Sequence, residues 1–341
     1  MAPRRGGGGS SSGGGVSSTC PGAFSETVEQ VGFAADVLFL VIYLGLAITL
    51  CTFRKKTGAG KKLLGAPFII AVLFYLIANA LAMIRAILQQ CGTIAYYDWY
   101  KWSIATNVFS YLAGWLLLFV VVFTLNSMLQ NQKDGLIKTP VKIILLAIMM
   151  VMGLLTCAAI GLQSYVNYSQ SDLGSYSTNY ALLYATVKLR TAYDALYMIS
   201  VLAAGALALI TILALRKRRS PAGDLIGWSI ALTFVMVFWS IVVLVWDAAA
   251  LNNTFWEWET SAALVYLTSF AQVLAFIFIM CIAKHASWSS PAGAHHAMNA
   301  DAYIGADAPK YEHNAGVNQA YYYQQAPVYT GAGNPMTQPM R

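Results

Sequence analysis

Charge is what this chain has least of. Only 10% of its 341 residues are Asp, Glu, Lys or Arg, against about 25% in soluble domains. With 58% hydrophobic residues and a mean hydropathy of +0.59, a water-soluble single core is excluded. Histidine is missing from the apolar part altogether, since His285, His295, His296 and His313 all lie towards the C-terminus. A histidine-bound zinc, or a His-based triad inside a membrane, therefore has no residues to work with. Cysteines are few and scattered (Cys20, Cys51, Cys91, Cys157 and Cys281), and no CxxC spacing supports a metal site. Neither a phosphate-cradling loop nor a paired-carboxylate motif is present. The expectation is a non-enzyme without metal or cofactor.

What the chain does have is hydrophobic runs of membrane length. Residues 195–215 contain no charge, and at about 1.5 Å of rise per residue such a helix crosses a hydrocarbon core of about 30 Å. The run ends in Arg216, Lys217, Arg218 and Arg219, a cluster that insertion retains on the cytoplasmic side. Six further runs complete an all-α, polytopic seven-transmembrane-helix bundle with spans near 31–53, 64–88, 104–129, 141–162, 190–215, 225–248 and 261–283. Arg54, Lys55, Lys56, Lys61 and Lys62 follow the first span, Lys133, Lys138 and Lys142 separate the third from the fourth, and Lys284 closes the seventh. This bias places the N-terminus outside and the C-terminus in the cytoplasm. Lys101, Lys188 and Arg190 flank the outer ends. The net charge of +7 thus records topology, and nucleic acid is not an expected partner.

Other outer-side signals agree. Tyr96, Tyr97, Trp99, Tyr100 and Trp102 form an aromatic belt before the third span. The sequons at Asn167 and Asn252 are candidate glycosylation sites, and Cys20 with Cys91 is a candidate disulfide. Gly153, Cys157 and Gly161 recur at every fourth position of the fourth span, a small-residue stripe suited to close helix packing. Residues 1–29 are a Gly/Ser-rich arm expected to be disordered, with no apolar middle like that of a signal peptide. Residues 285–341 read as a disordered cytoplasmic tail, with APxY at Ala308–Tyr311 and Ala326–Tyr329 and a tyrosine run at Tyr321–Tyr323. The plasma membrane or a secretory-pathway membrane is the expected residence.

The few intramembrane charges carry the functional signal. Asp36, Arg85, Arg190, Asp194 and Asp247 are all placed within a turn or two of the outer ends of their spans. An ionised group there costs a few kcal/mol unless paired, hydrated or snorkelling. In one reading Arg85 and Arg190 snorkel to headgroups and Asp247 caps a helix end. In the other, the five form a nearly neutral network around an outward-facing pocket lined by Tyr193, Tyr197 and Trp246. An arginine there receives an anionic ligand group and an aspartate a cationic or hydroxyl group. Arg190 and Asp194 are four apart with the cation first, the weaker order on a helix, so pairing is expected across helices: Arg85 with Asp36, or Asp194 with Arg190 and a neighbour.

The layout, with its basic loop between helices five and six, resembles the G-protein-coupled receptor plan. Its motifs are missing: the third helix ends Asn126-Ser127-Met128-Leu129-Gln130, and the seventh has no NPxxY. The seventh also has no lysine for the retinal Schiff base of a microbial rhodopsin. Over residues 31–284, in span layout and in single charges such as Arg85 and Arg190, the chain is similar to fungal seven-span integral membrane proteins, a resemblance that carries over no site residue. The expected function is a receptor or sensor for a small ligand, with cytoplasmic partners at the basic loops and tail. A transporter or lipid-handling protein, and a scaffold acting through its Tyr/Pro-containing tail, are the alternatives.

Overall fold

The computed structural model describes residues 24, 26–56, 59–92, 98–134, 139–172, 180–217, 225–252, 257–285 and 288, whose regular elements are all helical. Seven helices are long and apolar enough to cross a membrane. They are α1 (Thr27–Lys56), α2 (Ala66–Gln90), α3, α4 (Thr139–Asp172), α5 (Tyr180–Lys217), α6 (Ile226–Leu251) and α7 (Trp258–Lys284). The third is continuous through Asp98–Phe119, a π-helical stretch Val120–Leu125 and Asn126–Asp134. A short 3-10 turn, Ala59–Lys62, links α1 to α2. The prolines of these helices, Pro67 and Pro140, stand in the first turns, where the missing N–H has no intrahelical acceptor to lose.

Each helix packs on the next in sequence, α1 closes the ring on α7, and the far end of α3 reaches α5. The outer surface is greasy: Leu154 of α4 and Phe234 of α6 are 69% and 68% exposed. A water-facing bundle would not present such a belt, so its surroundings are a lipid bilayer. The protein is a multi-pass membrane protein.

Several expected boundaries move. The fourth and fifth helices extend to Asp172 and back to Tyr180, which shrinks the expected loop 163–186. Ala181, Leu182, Leu183 and Ala185 are good helix formers that keep the turns going past the apolar window. Arg190 and Asp194 therefore lie about three and four turns into α5, deeper than the expected turn or two. At the N-terminal side, order begins before α1. Phe24 packs against Phe33, the rings tilted with centroids 4.6 Å apart, and its backbone N–H donates to Gln90 Oε1 at 3.3 Å. At the other end Trp288 folds back under α7. It is 5% exposed and its Nε1–H donates to the Ile282 carbonyl at 2.6 Å. Of the segments expected to be disordered, 1–29 and 285–341, residues 24, 26–29, 285 and 288 are described and the rest lie outside the described residues.

The π stretch of α3 leaves carbonyls without their usual donors. Asn126, 1% exposed, supplies one: its Nδ2 donates to the Val121 and Val122 carbonyls at 3.2 and 3.1 Å. Glycines set the closest approaches. A Cβ on Gly205 of α5 would overlap Thr233 of α6, and one on Gly60 would overlap the Ala283 carbonyl. The expected stripe on α4 packs only in part: Gly153 meets the Trp115 ring, whereas Cys157 is exposed and nothing lies within 4 Å of a Cβ on Gly161.

These glycines give a prediction of sign. Gly161→Ala should stabilise by up to about 1 kcal/mol through helix propensity. Gly205→Ala should destabilise by about 1–3 kcal/mol because the Thr233 side chain must give way. Melting of the two purified variants in one detergent reads the difference.

Candidate functional site

Spacing along α5 puts Arg190, Tyr193, Asp194 and Tyr197 on one face, at i, i+3, i+4 and i+7. That face meets a polar cavity system inside the ring. One cavity of about 350 Å³ lies towards the connections after α2, α4 and α6, with Asn79, Thr106 and Trp246 among its walls. A second of about 230 Å³ is lined by Tyr111, Tyr193, Asp194, Tyr197 and Trp239. Tyr75, Ser110, Arg190, Val243, Thr268 and Gln272 border both.

The cavities have an apolar floor. One turn or so deeper on the contributing helices stand Phe68 and Val72 (α2), Leu117 and Leu118 (α3), Val201 (α5), Met236 (α6) and Phe276 (α7), all at most 1% exposed. In this layer Phe276 is edge-on to Phe68 at 5.4 Å and to Tyr75 at 5.7 Å, while buried Asn126, Gln130, Thr211 and Ser229 lie further towards the end bearing the Arg216–Lys217 cluster.

The charges divide into two groups. Arg190 Nη2 meets Asp247 Oδ1 at 2.8 Å, an ion pair that ties α5 to α6. The Asp247 side chain is 2% exposed, the Arg190 side chain 31%, its open part facing the cavities. Asp194 is a further neighbour, within hydrogen-bond reach of the Asp247 carboxyl. The other Asp247 oxygen, Oδ2, accepts from no described N–H or hydroxyl. A hydrogen bond between two carboxyls needs a proton held between them, so this cluster is one cation facing two acids. Uncharged groups complete the wall. The Tyr193 and Thr156 hydroxyls lie 3.3 Å apart across α5 and α4, and Tyr197 donates to the Gly114 carbonyl at 3.4 Å. The indole N–H of Trp239, a residue 9% exposed, has no acceptor among the described residues.

Arg85 and Asp36 form the second group and do not border these two cavities. Arg85 Nη1 donates to Ser103 Oγ at 3.1 Å, and the guanidinium lies 5.0 Å from the centre of the Trp99 ring. Asp36 is near enough to interact electrostatically, yet no ion pair joins the two. The single five-membered network is thereby corrected to two clusters. A serine and an aromatic face within reach satisfy Arg85 on α3 at less desolvation than an ion pair with α1. Of the expected residues, the cavities gather Arg190, Tyr193, Asp194, Tyr197 and Trp246, with Asp247 behind them.

Sequence reasoning missed the uncharged lining. Asn107, Ser110, Tyr111 and Gly114 recur at i, i+3, i+4 and i+7 of α3, and Thr268 and Gln272 lie four apart on α7. A search of the apolar spans for polar residues at helical spacing finds them.

Two modification candidates also settle into place. Asn167 lies inside α4, 5% exposed, its Oδ1 accepting from Gln163 Nε2 at 3.1 Å and its Nδ2 enclosed. The nitrogen a glycan would need is not presented, which corrects the reading of Asn167 as a loop acceptor. Asn252 caps α6 and is exposed. Cys91 is disulfide-bonded, while its expected partner Cys20 lies outside the described residues.

No protein-family model, curated protein or solved structure matches this chain. Its class rests on the seven apolar helices, and its site on the geometry above.

Truncating one side of the α5–α6 pair tests that geometry. Asp247→Ala should cost about 2–4 kcal/mol, below the roughly 3–5 kcal/mol of a fully enclosed pair because Arg190 is partly open. The double change Arg190→Leu with Asp247→Leu should recover much of the loss, read by thermal melting in detergent.

Proposed function

We propose that this protein is a receptor or sensor that binds a small ligand within the bundle and passes the binding event to its other end. The supporting observation is the cavity: walls from α2 to α7 that mix polar groups with apolar ones above, and a floor of fully buried Phe68, Leu117, Val201, Met236 and Phe276 below. A carrier needs a polar route continuing to the opposite face. In this conformation the apolar floor favours capture over passage. The cavity volumes of about 350 and 230 Å³ suit a small ligand. Cations mark the floor end as cytoplasmic, with Lys61, Lys62, Arg216, Lys217 and Lys284 grouped there, so the cavities face outward.

The cavity reading has a direct test. Ser110 borders both cavities, so Ser110→Phe should abolish the ligand-induced rise in melting temperature while leaving surface expression intact. In proteoliposomes a compound that binds should not be carried across. Flux of that compound overturns the receptor reading in favour of a carrier. Removal of residues 289–341 should leave binding unchanged, whereas a scaffold acting through its tail predicts that all function disappears with that segment.

Orientation has its own check. An endoglycosidase-sensitive shift should vanish with Asn252→Gln and persist with Asn167→Gln. A shift that depends on Asn167 would contradict the enclosed position of that side chain.

A further inference from the structure

The cavity walls also say what kind of ligand they suit, an inference that rests on the receptor reading. Formal charge comes first. Arg190 contributes one positive charge, and Asp194 and Asp247 one negative each. A proton held between the two carboxyls balances the cluster, and without that proton one negative charge is left uncompensated beside the cavity. Such a charge is costly unless a cation answers it.

Aromatic faces come second. Tyr111 stands edge-on to Tyr193 at 6.0 Å, Tyr193 lies 6.2 Å from Tyr197, and Tyr197 is edge-on to Trp239 at 5.2 Å. These four rings, from α3, α5 and α6, make one side of the cavity in which Asp194 also stands, and Tyr75 of α2 borders it too. The faces of such rings carry partial negative charge and hold ammonium groups, methylated ones above all.

We infer that the cavity between α3, α5 and α6 is a binding site for a small organic cation, an ammonium compound whose charge rests on the aromatic wall beside Asp194. Arg190 is already engaged by Asp247 and so disfavours, by charge balance, a ligand of net negative charge. A zwitterion leaves the unbalanced charge of the cluster in place and is the weaker fit.

Four probes of similar size separate the possibilities: choline, its neutral isostere 3,3-dimethylbutanol, glycine betaine and butyrate. The full-length protein in nanodiscs is titrated with each, read by tryptophan emission and by melting temperature. Choline should bind at least roughly tenfold more tightly than the neutral isostere, the margin expected of a desolvated cation on aromatic faces near a carboxylate. Asp194→Asn should remove that margin while the affinity for 3,3-dimethylbutanol stays the same, which also shows that the variant is folded.

Equal binding of choline and 3,3-dimethylbutanol would overturn the cation assignment, as would a preference for butyrate or betaine that depends on Arg190. Either result leaves the receptor reading standing. A site that answers to acidity alone, with no response to any of the four probes, overturns it as well, because the balancing cation would then be the proton. Flux of choline through proteoliposomes instead defeats the receptor reading while leaving the ligand class intact.

Discussion

Arg190 and Asp247 meet at 2.8 Å between α5 and α6, and the polar interior is arranged around that contact. A guanidinium on the inward face of a transmembrane helix is costly unless answered, and a carboxylate from the next helix answers it. The pair fixes the rotation of both helices. It turns Tyr193, Asp194 and Tyr197 inward along with Arg190, because the four share one face. It also leaves Asp194 as a second acid in the cavity, beside an arginine that is already paired.

The rest of the bundle keeps water and lipid from dissolving this arrangement. Below the cavity, side chains from five helices close into a layer without polar groups. Around it, exposed Leu154 and Phe234 belong to a surface that only hydrocarbon can wet. Close helix approach at Gly205 against Thr233 brings α5 and α6 near enough for a short ion pair. The hydroxyls of Ser200, Thr211 and Ser240 donate instead to carbonyls in their own helices, those of Leu196, Leu207 and Met236. Such local bonds add no cross-helix polarity.

Much of this was legible in the sequence because a bilayer leaves few choices. Apolar length predicts seven helices, and the structure has seven of them. Single charges in apolar spans stand out, so Arg190, Asp194 and Asp247 could be named before their geometry was seen. Their partners could not. Whether Arg85 turns to Asp36 or to Ser103 depends on helix rotation, which hydropathy does not encode. Helix ends were misplaced at 163–186 because polar Ser and Tyr look like loop while the backbone continues to satisfy itself outside lipid. Asn167 was misread for the same reason. The cavity lining escaped because Asn107, Ser110, Tyr111, Thr268 and Gln272 carry no charge and so cost too little to attract attention one at a time.

The wide turn in α3 has a consequence for reading this helix at all. Between Val120 and Leu125 the hydrogen-bonded step lengthens from four residues to five, so one residue enters the chain without advancing the spiral as usual. Side chains before and after it obey two different phases, and no single helical wheel drawn through Asp98–Asp134 can be right along its whole length. Asn107, Ser110, Tyr111 and Gly114 belong to the first phase and look into the cavity; Met128 and Leu129 belong to the second and are buried towards the opposite end. A deletion of one residue in that turn would therefore return α3 to ordinary helical steps with both halves facing as they do, whereas the same deletion elsewhere in the helix would swing one half by about a hundred degrees relative to the other.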